Sequence, residues 1–128
     1  MTTFTHAYQP QAYALMRIVV GLLFLWHGTQ KLFSFPAPPP NIPPFVTYIA
    51  GPIELVGGTL VLVGLYAGWA AFLCSGLMAF AYWMVHGTHA LFPINNGGEL
   101  AALYCFVFLY ISAKGSGTWS VDAMRGRG

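Results

Sequence analysis

Apolar residues along the chain are collected into four stretches, which are separated by segments rich in proline, glycine and asparagine. The pattern predicts helices at about residues 12–33, 45–66, 67–86 and 97–114, followed by a tail at 115–128. A helix that crosses a bilayer needs about 20 largely apolar residues, and the first three stretches meet that length. The fourth is shorter, so two alternatives stay open for it: a full span, or a helix that lies in the headgroup zone.

The segments between the predicted helices are strong helix breakers. Residues 35–44 contain six prolines, which exclude a helix and predict an extended connector. Residues 64–68 form a short glycine-containing turn, so the second and third helices are predicted to be antiparallel neighbours. Residues 86–98 form the last connector, in which Pro93 and paired Asn and Gly residues favour turns. The predicted fold is all-α, a membrane-embedded four-helix bundle in one domain of residues 1–128.

The composition supports a membrane protein and argues against three other classes. Of the 128 residues, 57% are hydrophobic and 6% are charged, whereas about 25% are charged in an ordinary soluble domain. A small soluble domain has a large surface for its volume and needs many more polar side chains than this chain has. Disorder requires low hydrophobicity. Five Lys plus Arg residues at a net charge of +2 form no basic face for nucleic acid.

The few basic residues predict an orientation in the membrane. Four spans put both termini on one side, and the positive-inside rule assigns the more basic side to the cytoplasm. Lys31 falls on the other side, whereas the side of the termini carries Arg17, Lys114, Arg125 and Arg127. We therefore expect cytoplasmic termini and outward-facing connectors. We expect no cleaved signal peptide, because the first residues carry no basic segment.

Each predicted helix carries its polar side chains on one face. In the first helix Arg17, His27 and Lys31 share a face at helical spacing. Such stripes turn toward the interior of a bundle rather than toward lipid. At a rise of about 1.5 Å per residue, the stripes bring one set of side chains together in the outward half of the bundle. This predicted polar pocket consists of His27, Lys31, Glu54, Tyr82, His86 and Glu99.

Depth along the helices limits the partners of Glu54. Arg17 lies near the opposite side, so His27 or Lys31 is the better partner. One interpretation is a pocket that binds a quinone-like head group or passes protons, since His and carboxylate groups suit both tasks. The other is a set of polar contacts that fixes helix register without chemistry. For Lys31 the favoured interpretation is a snorkelling anchor, and for Glu99 the alternative is stabilisation at a helix N-terminus.

The histidines and cysteines do not have the spacing of a metal site, and we predict none. His86 and His89 form no specific signature, although His27 with His86 is a geometric alternative for a haem. Cys74 and Cys105 lie inside apolar runs, which favours a role as small packing residues over a redox pair.

Four groups of residues resemble the motifs of the DoxX family of small membrane proteins. They are Arg17 with Gly21 and Trp26-His-Gly-Thr-Gln-Lys31, then Ile53-Glu-Leu-Val-Gly-Gly58 with Gly64, then Asn96-Gly-Gly-Glu-Leu-Ala101, and finally Gly115-Ser-Gly-Thr-Trp-Ser-Val-Asp122. The matching positions are Arg17, His27, Gly28, Lys31, Glu54, Gly58, Gly97, Gly98 and Glu99. The resemblance implies a four-helix protein in the cytoplasmic membrane of a bacterium or archaeon.

The resemblance also favours one function. The family takes its name from a small subunit of a thiosulfate:quinone oxidoreductase system, and some members associate with soluble redox enzymes. We therefore expect a small subunit of a quinone-linked oxidoreductase or redox-stress complex. In that expectation Glu54 and His27 contact the head group or relay protons, and His86 and Glu99 form the outer mouth.

The expected cofactors and partners follow from what the chain contains. It has no flavin or nucleotide motif, so we expect no intrinsic cofactor, with quinone as the ligand and a partner protein as the electron source. The expected partners are the lipid bilayer and either further copies of the chain or a larger membrane assembly, and no nucleic acid. Two other functions stay open: a scaffold or assembly subunit without chemistry, and a small oligomeric transporter of solute or protons.

Overall fold

The structure, a computed structural model, describes residues 2–39 and 41–126 and is all-helical over them. The α-helices are α1 (Gln9–Phe33), α2 (Pro44–Val63), α3 (Ala67–Ala81), α4 (Pro93–Asn96), α5 (Glu99–Lys114) and α6 (Val121–Met124). A 3-10 turn at His6–Tyr8 precedes α1, and a π-helical turn at Tyr82–His86 continues α3. The all-α prediction is confirmed for these residues, whereas Arg127, predicted on the cytoplasmic side, lies outside them.

Three helical segments are long and apolar enough to cross a membrane: His6–Phe33, Pro44–Val63 and Ala67–His86. The chain is therefore a membrane protein. The fourth long helix, α5, has 16 residues, which gives a length of about 24 Å at a rise of about 1.5 Å per residue. That length is shorter than the hydrocarbon core of a bilayer, about 30 Å.

The first helix begins at Gln9 rather than at 12, and glycine turns displace two further predicted boundaries. The second helix ends at Val63 rather than at 66, because Gly64 has a φ of 74° and turns the chain. The fourth helix begins at Glu99 rather than at 97, because Gly97, with a φ of 75°, separates α4 from α5. The third keeps its predicted extent but changes from α to π geometry at Tyr82.

Helices α1 and α2 are antiparallel, and their backbones touch at glycines. A Cβ at Gly21 would lie 2.5 Å from the backbone nitrogen of Leu62, and a Cβ at Gly28 would lie 2.5 Å from that of Leu55. A Cβ at Gly58 would lie 2.7 Å from a backbone nitrogen of α1. Small residues at a helix contact in lipid allow the backbones to approach and gain dispersion energy. These glycines therefore fix the register of α1 against α2.

Helix α5 packs antiparallel to α3 and closes the core against α1. The Ser75 hydroxyl on α3 donates a hydrogen bond of 2.7 Å to the Cys105 carbonyl on α5. The ring of Phe24 on α1 lies against two rings of α5, with centroid distances of 5.3 Å to Tyr104 and 4.7 Å to Phe108. The four long helices thus share one apolar core, in which α1 and α2 form one pair and α3 and α5 the other.

The segment after α5 folds back against the helices. We call the end of the protein where α1 begins and α2 ends the tail end, and we call the opposite end the loop end. Arg17 is fully buried there, and its guanidinium donates to the carbonyls of Val61 and Leu62 at 2.9 Å each. It also donates to the carbonyls of Thr118 at 3.2 Å and Trp119 at 2.7 Å. The C-terminus of a helix has a negative dipole end, so α2 stabilises this cation without a carboxylate.

A second set of hydrogen bonds fastens the same segment. The Asp122 carboxylate accepts from the Tyr66 backbone N–H at 2.8 Å and from the Ser116 hydroxyl at 2.7 Å. The Tyr13 hydroxyl on α1 donates to the Gly115 carbonyl at 2.6 Å. Residues 115–122 are therefore packed against three of the long helices, and the tail is part of the fold rather than an appendage.

A single methyl group tests the contact between α1 and α2. We expect Gly58→Ala to lower the free energy of unfolding by about 1–3 kcal/mol, because the added Cβ meets a backbone that cannot move aside. Gly76→Ala is the matched control, since a Cβ there meets nothing within 4 Å. Unfolding by SDS in mixed micelles measures both. Equal stability of the two variants would contradict glycine contact as the determinant of this packing.

The Arg17 guanidinium is expected to hold the tail in place. A lysine cannot reach four carbonyl groups, so Arg17→Lys should release the tail and speed tryptic cleavage after Lys114 by about tenfold or more, given about 1.5–3 kcal/mol for a hydrogen bond to a charged group. Arg125→Lys is the control, because the Arg125 side chain is exposed and lies over the Tyr66 ring. A cleavage rate unchanged by Arg17→Lys would show that other contacts suffice.

Candidate functional site

Lys31 and Glu54 form a buried ion pair between α1 and α2. The Lys31 ammonium donates to both oxygens of the Glu54 carboxylate, at 3.0 and 2.9 Å. The two side chains are 11% and 4% exposed. Of the two partners that the sequence left open for Glu54, the structure selects Lys31. Arg17 takes no part, as its depth predicted.

The direction of helical side chains explains why these two groups meet. Side chains on a helix lean toward its N-terminus. Lys31 stands near the end of α1, so its stem leans into the membrane-spanning part. Glu54 stands ten residues after Pro44, about 15 Å along α2, and leans back toward the loop end. The snorkelling interpretation of Lys31 is therefore wrong, because the ammonium turns inward to a carboxylate.

Three further polar or aromatic groups surround the pair. His27 lies one helical turn before Lys31, and its ring meets the Tyr104 ring edge to face at a centroid distance of 6.1 Å. The Cys74 sulfur lies against Gly57, one helical turn after Glu54, and the Tyr104 ring lies against His27. We call His27, Lys31, Glu54, Cys74 and Tyr104 the ion-pair site.

Sequence reasoning missed Tyr104 and Cys74 as neighbours of the pair. A signal for Tyr104 was present, because Ala101, Tyr104 and Phe108 follow helical spacing and share the buried face of α5. Cys74 was interpreted as a packing residue, and it does pack: a Cβ at Gly57 would lie 2.5 Å from its sulfur. Its position beside Glu54 depends on the contact between α2 and α3, which no local pattern encodes.

The second polar group lies at the loop end and centres on Asn96. The His86 Nδ1 is 3.1 Å from the Asn96 carbonyl oxygen. The Asn96 amide donates to the Tyr82 hydroxyl at 3.1 Å and to the Ala90 carbonyl at 3.2 Å, and its oxygen accepts from the Gly98 N–H at 2.8 Å. We call Tyr82, His86 and Asn96 the asparagine cluster. From the sequence, Asn96 is a turn former and the first residue of the motif at 96–101, with no predicted contact to Tyr82 or His86.

The six residues predicted to share one pocket are thus distributed over the structure. His27, Lys31 and Glu54 belong to the ion-pair site, and Tyr82 and His86 belong to the asparagine cluster. Over residues 2–39 and 41–126, no hydrogen bond or ring contact joins the two groups. Glu99 is exposed in the first turn of α5, where the helix dipole favours a carboxylate.

The thiols and histidines offer limited sites for a cofactor. Within the described part of the chain, no group of three or more His, Cys, Asp or Glu is placed to hold a metal ion. Cys74 and Cys105 are free thiols, and the Cys105 sulfur is 3.6 Å from the Ser75 hydroxyl. His27 and His86 belong to different groups, so the geometry does not support them as a pair of haem ligands.

Two open grooves lie on the surface, and neither is lined by Lys31, Glu54, Tyr82 or His86. One, of about 230 Å³, runs between α2 and α3 and is lined by apolar side chains such as Ile53 and Leu73. The other, of about 580 Å³, lies at the tail end beside Trp119 and Met124. A ligand of the polar groups would therefore approach from the surrounding membrane or from the loop end.

Comparison with known sequences identifies the family. The sequence profile of the DoxX family matches residues 12–87. The chain belongs to the DoxX family. A relative from Haemophilus influenzae, described as an uncharacterized protein, is 40% identical over 122 residues, which cover 90% of this chain and 91% of the relative. No solved structure matches the chain.

The DoxX match covers α1, α2, α3 and the π turn, and so contains Lys31, Glu54 and His86. The resemblance of the first two motifs to the family is thereby confirmed. The motifs at 96–101 and 115–122, with Asn96 and the docked tail, lie beyond the matched residues. Membership of the DoxX family does not by itself establish an activity, because function depends on the site.

The ion pair is testable by a double-mutant cycle. Lys31→Met or Glu54→Leu alone should cost about 3–5 kcal/mol of unfolding free energy, because each leaves a buried charge without its partner. The double variant should be much closer to the wild type, since an apolar pair needs no counter-charge. Unfolding in mixed micelles measures the cycle, with Glu99→Gln as a control that should change little. Strictly additive single effects would contradict the coupling.

Proposed function

We propose that the protein is a small subunit of a quinone-linked redox assembly in a prokaryotic cytoplasmic membrane. In this proposal the ion-pair site exchanges the protons that accompany quinone reduction or quinol oxidation. A partner protein supplies or accepts the electrons, and α5 crosses the membrane beside α3. The observation that carries the proposal is the Lys31–Glu54 pair, buried between two spanning helices with a histidine one turn away.

The energetic cost of this pair supports a chemical role. Removing an ammonium and a carboxylate from water costs several kcal/mol per ion, and an apolar pair of similar volume is often as stable or more stable. Ionisable side chains within membrane spans are rare and mark proton and substrate pathways. Packing alone would be served by two leucines at the positions of Lys31 and Glu54.

The groups present suit proton exchange. A quinone that accepts two electrons also takes up two protons, and a quinol releases them. The Glu54 carboxylate can accept one proton at an oxygen while the Lys31 ammonium keeps its charge. The His27 ring makes no hydrogen bond to any residue in 2–39 or 41–126, so its nitrogens are available to exchange a proton with a ligand. Tyr104 and Cys74, both buried, border the inner side of the site.

The distribution of charge supports the proposed orientation. Arg17, Lys114 and Arg125 lie toward the tail end, whereas Lys31 lies toward the loop end. By the positive-inside rule the tail end faces the cytoplasm. The connectors at 34–43 and 87–98 then face outward, and a redox partner meets the protein in the membrane or at either surface.

The role of Glu54 can be tested with a matched pair of carboxylate variants. Glu54→Gln keeps the side-chain shape but cannot hold an exchangeable proton, so we expect quinone-dependent turnover of the native assembly to fall by about tenfold or more, as for loss of a general acid–base group. Glu99→Gln removes an exposed carboxylate and should leave turnover unchanged. Membranes from cells that express each variant at equal levels provide the assay, and co-purified quinone is quantified in parallel. Full turnover with Glu54→Gln would refute the proton-exchange role.

One observation favours a second candidate, a scaffold subunit without chemistry. Lys31 and Glu54 satisfy each other through two hydrogen bonds, which is also what a purely structural clamp between α1 and α2 requires. The Lys31→Met/Glu54→Leu double variant separates the two functions. A scaffold would retain assembly and turnover in that variant, whereas the proposed redox subunit would retain assembly and lose turnover.

A further inference from the structure

The Asn96 side chain contacts Tyr82 and its backbone carbonyl contacts His86, both side chains of the π turn. Its side chain is buried, its amide donates to Tyr82 and Ala90, and its amide oxygen accepts from Gly98. Its backbone carbonyl faces His86. Because all of these groups are engaged, Asn96 is a fixed support, and the groups left for a ligand belong to Tyr82 and His86.

The contact with Asn96 sets the tautomer of His86. A carbonyl oxygen can only accept a hydrogen bond, so the His86 Nδ1 carries the proton at its distance of 3.1 Å. The Nε2 of the neutral ring therefore presents a lone pair. No residue in 2–39 or 41–126 donates to it. The residue is half-buried, and the contact at Nδ1 fixes the direction of this acceptor.

Tyr82 presents the complementary group. Its oxygen accepts the Asn96 amide proton at 3.1 Å, so its own hydroxyl proton remains for another acceptor, and no described residue takes it. Tyr82 and His86 are four residues apart in the π turn and rest on the same Asn96. Single π turns inside helices are frequent at functional sites. The cluster thus offers one donor and one acceptor at the loop end.

We propose, on the basis of the proposed quinone function, that Tyr82 and His86 bind the head group of a quinone or quinol. The Tyr82 hydroxyl donates to a ring oxygen, and the His86 Nε2 accepts from a quinol hydroxyl. A quinone oxygen accepts a hydrogen bond from Tyr82 in the oxidised form, and the corresponding quinol hydroxyl donates one to His86 in the reduced form. The same ligand therefore fits both groups.

The surroundings of the cluster suit a ligand with a polar head and an apolar tail. The Trp83 ring lies edge to face with the Tyr82 ring at a centroid distance of 5.2 Å and is 66% exposed. Met84 is also exposed. Tryptophan favours the membrane–water interface, so the cluster lies at the depth where the head group of a membrane quinone meets water and its isoprenoid tail enters the bilayer.

Two variants separate the roles of the two groups. Tyr82→Phe removes the donor and should weaken binding of a decyl-substituted benzoquinone about five- to tenfold, the value of one hydrogen bond. His86→Asn keeps a donor near the Asn96 carbonyl but removes the Nε2 acceptor. It should therefore weaken binding of the reduced quinol by a similar factor and leave binding of the oxidised quinone unchanged. A merely structural role would not separate the two oxidation states.

The binding experiment uses the purified full chain in detergent micelles and follows quenching of tryptophan fluorescence by the quinone, with quinol measured by competition. Tyr48→Phe and His89→Asn are the matched controls, because both side chains are exposed near the loop end and form no hydrogen bond within the described residues. Wild-type affinity of Tyr82→Phe for the quinone, or of His86→Asn for the quinol, would overturn the assignment. Equal competition by a neutral monoacylglycerol would overturn it as well, since the site would then hold any lipid hydroxyl.

A measurement on the wild type guards against variants that fail to fold. Bound quinol should protect His86, and not His89, from acylation by diethylpyrocarbonate, and an unprotected His86 would contradict the proposal.

The failures of the two proposals are distinguishable. If the wild type binds quinol while Tyr82 and His86 prove irrelevant, this inference falls and the quinone function stands. If the wild type binds neither form, the quinone function falls as well.

Discussion

The backbone contact between α1 and α2 is the constraint on which the rest of the structure depends. Gly21 and Gly58 allow two spanning helices to approach until main-chain atoms touch. This contact aligns Arg17 with the carbonyl end of α2 on one side and Lys31 with Glu54 on the other. A shift of one turn between the helices, about 5.4 Å, would break both arrangements, so packing and charge placement are satisfied together.

The two buried cations, Arg17 and Lys31, are stabilised in different ways. The difference assigns a structural role to Arg17 and a chemical role to Lys31. Arg17 is surrounded by backbone carbonyls that cannot titrate, and a guanidinium keeps its proton in proteins. It therefore holds a permanent charge and fastens the tail. Lys31 faces Glu54, a group that can gain a proton. In a medium of low dielectric constant each charge of this pair depends strongly on the other, which suits a site whose charge changes during turnover.

The other helix pair carries a polar group of a different kind. The asparagine cluster contains no charge pair, and its members present an oriented donor and acceptor from a π turn. The ion-pair site supplies protons in the proposed function, whereas this cluster supplies recognition. Both lie on the loop-end side of a fold that is closed at the tail end by Arg17 and Asp122. The two ends of the protein thus have different tasks.

The sequence by itself determined the helices, the membrane environment and most of the candidate site residues. Helix formation depends on local hydrophobic periodicity and on breakers such as Gly64, and both are visible without a structure. Depth along a helix follows from residue counting, which was sufficient to exclude Arg17 as the partner of Glu54. The glycine spacing and the scarcity of charge were equally visible.

Only the tertiary structure decided which polar groups meet. The direction of Lys31, the neighbours Tyr104 and Cys74, and the division of one expected pocket into two groups depend on helix rotation. The docking of the tail depends on hydrogen bonds between residues 101 and 102 positions apart. Such contacts arise when whole helices pack, and no local pattern records the rotation of one helix against another. For this reason the sequence predicted Glu54 and His86 as candidate site residues, but it left two partners open for Glu54 and gave none for His86.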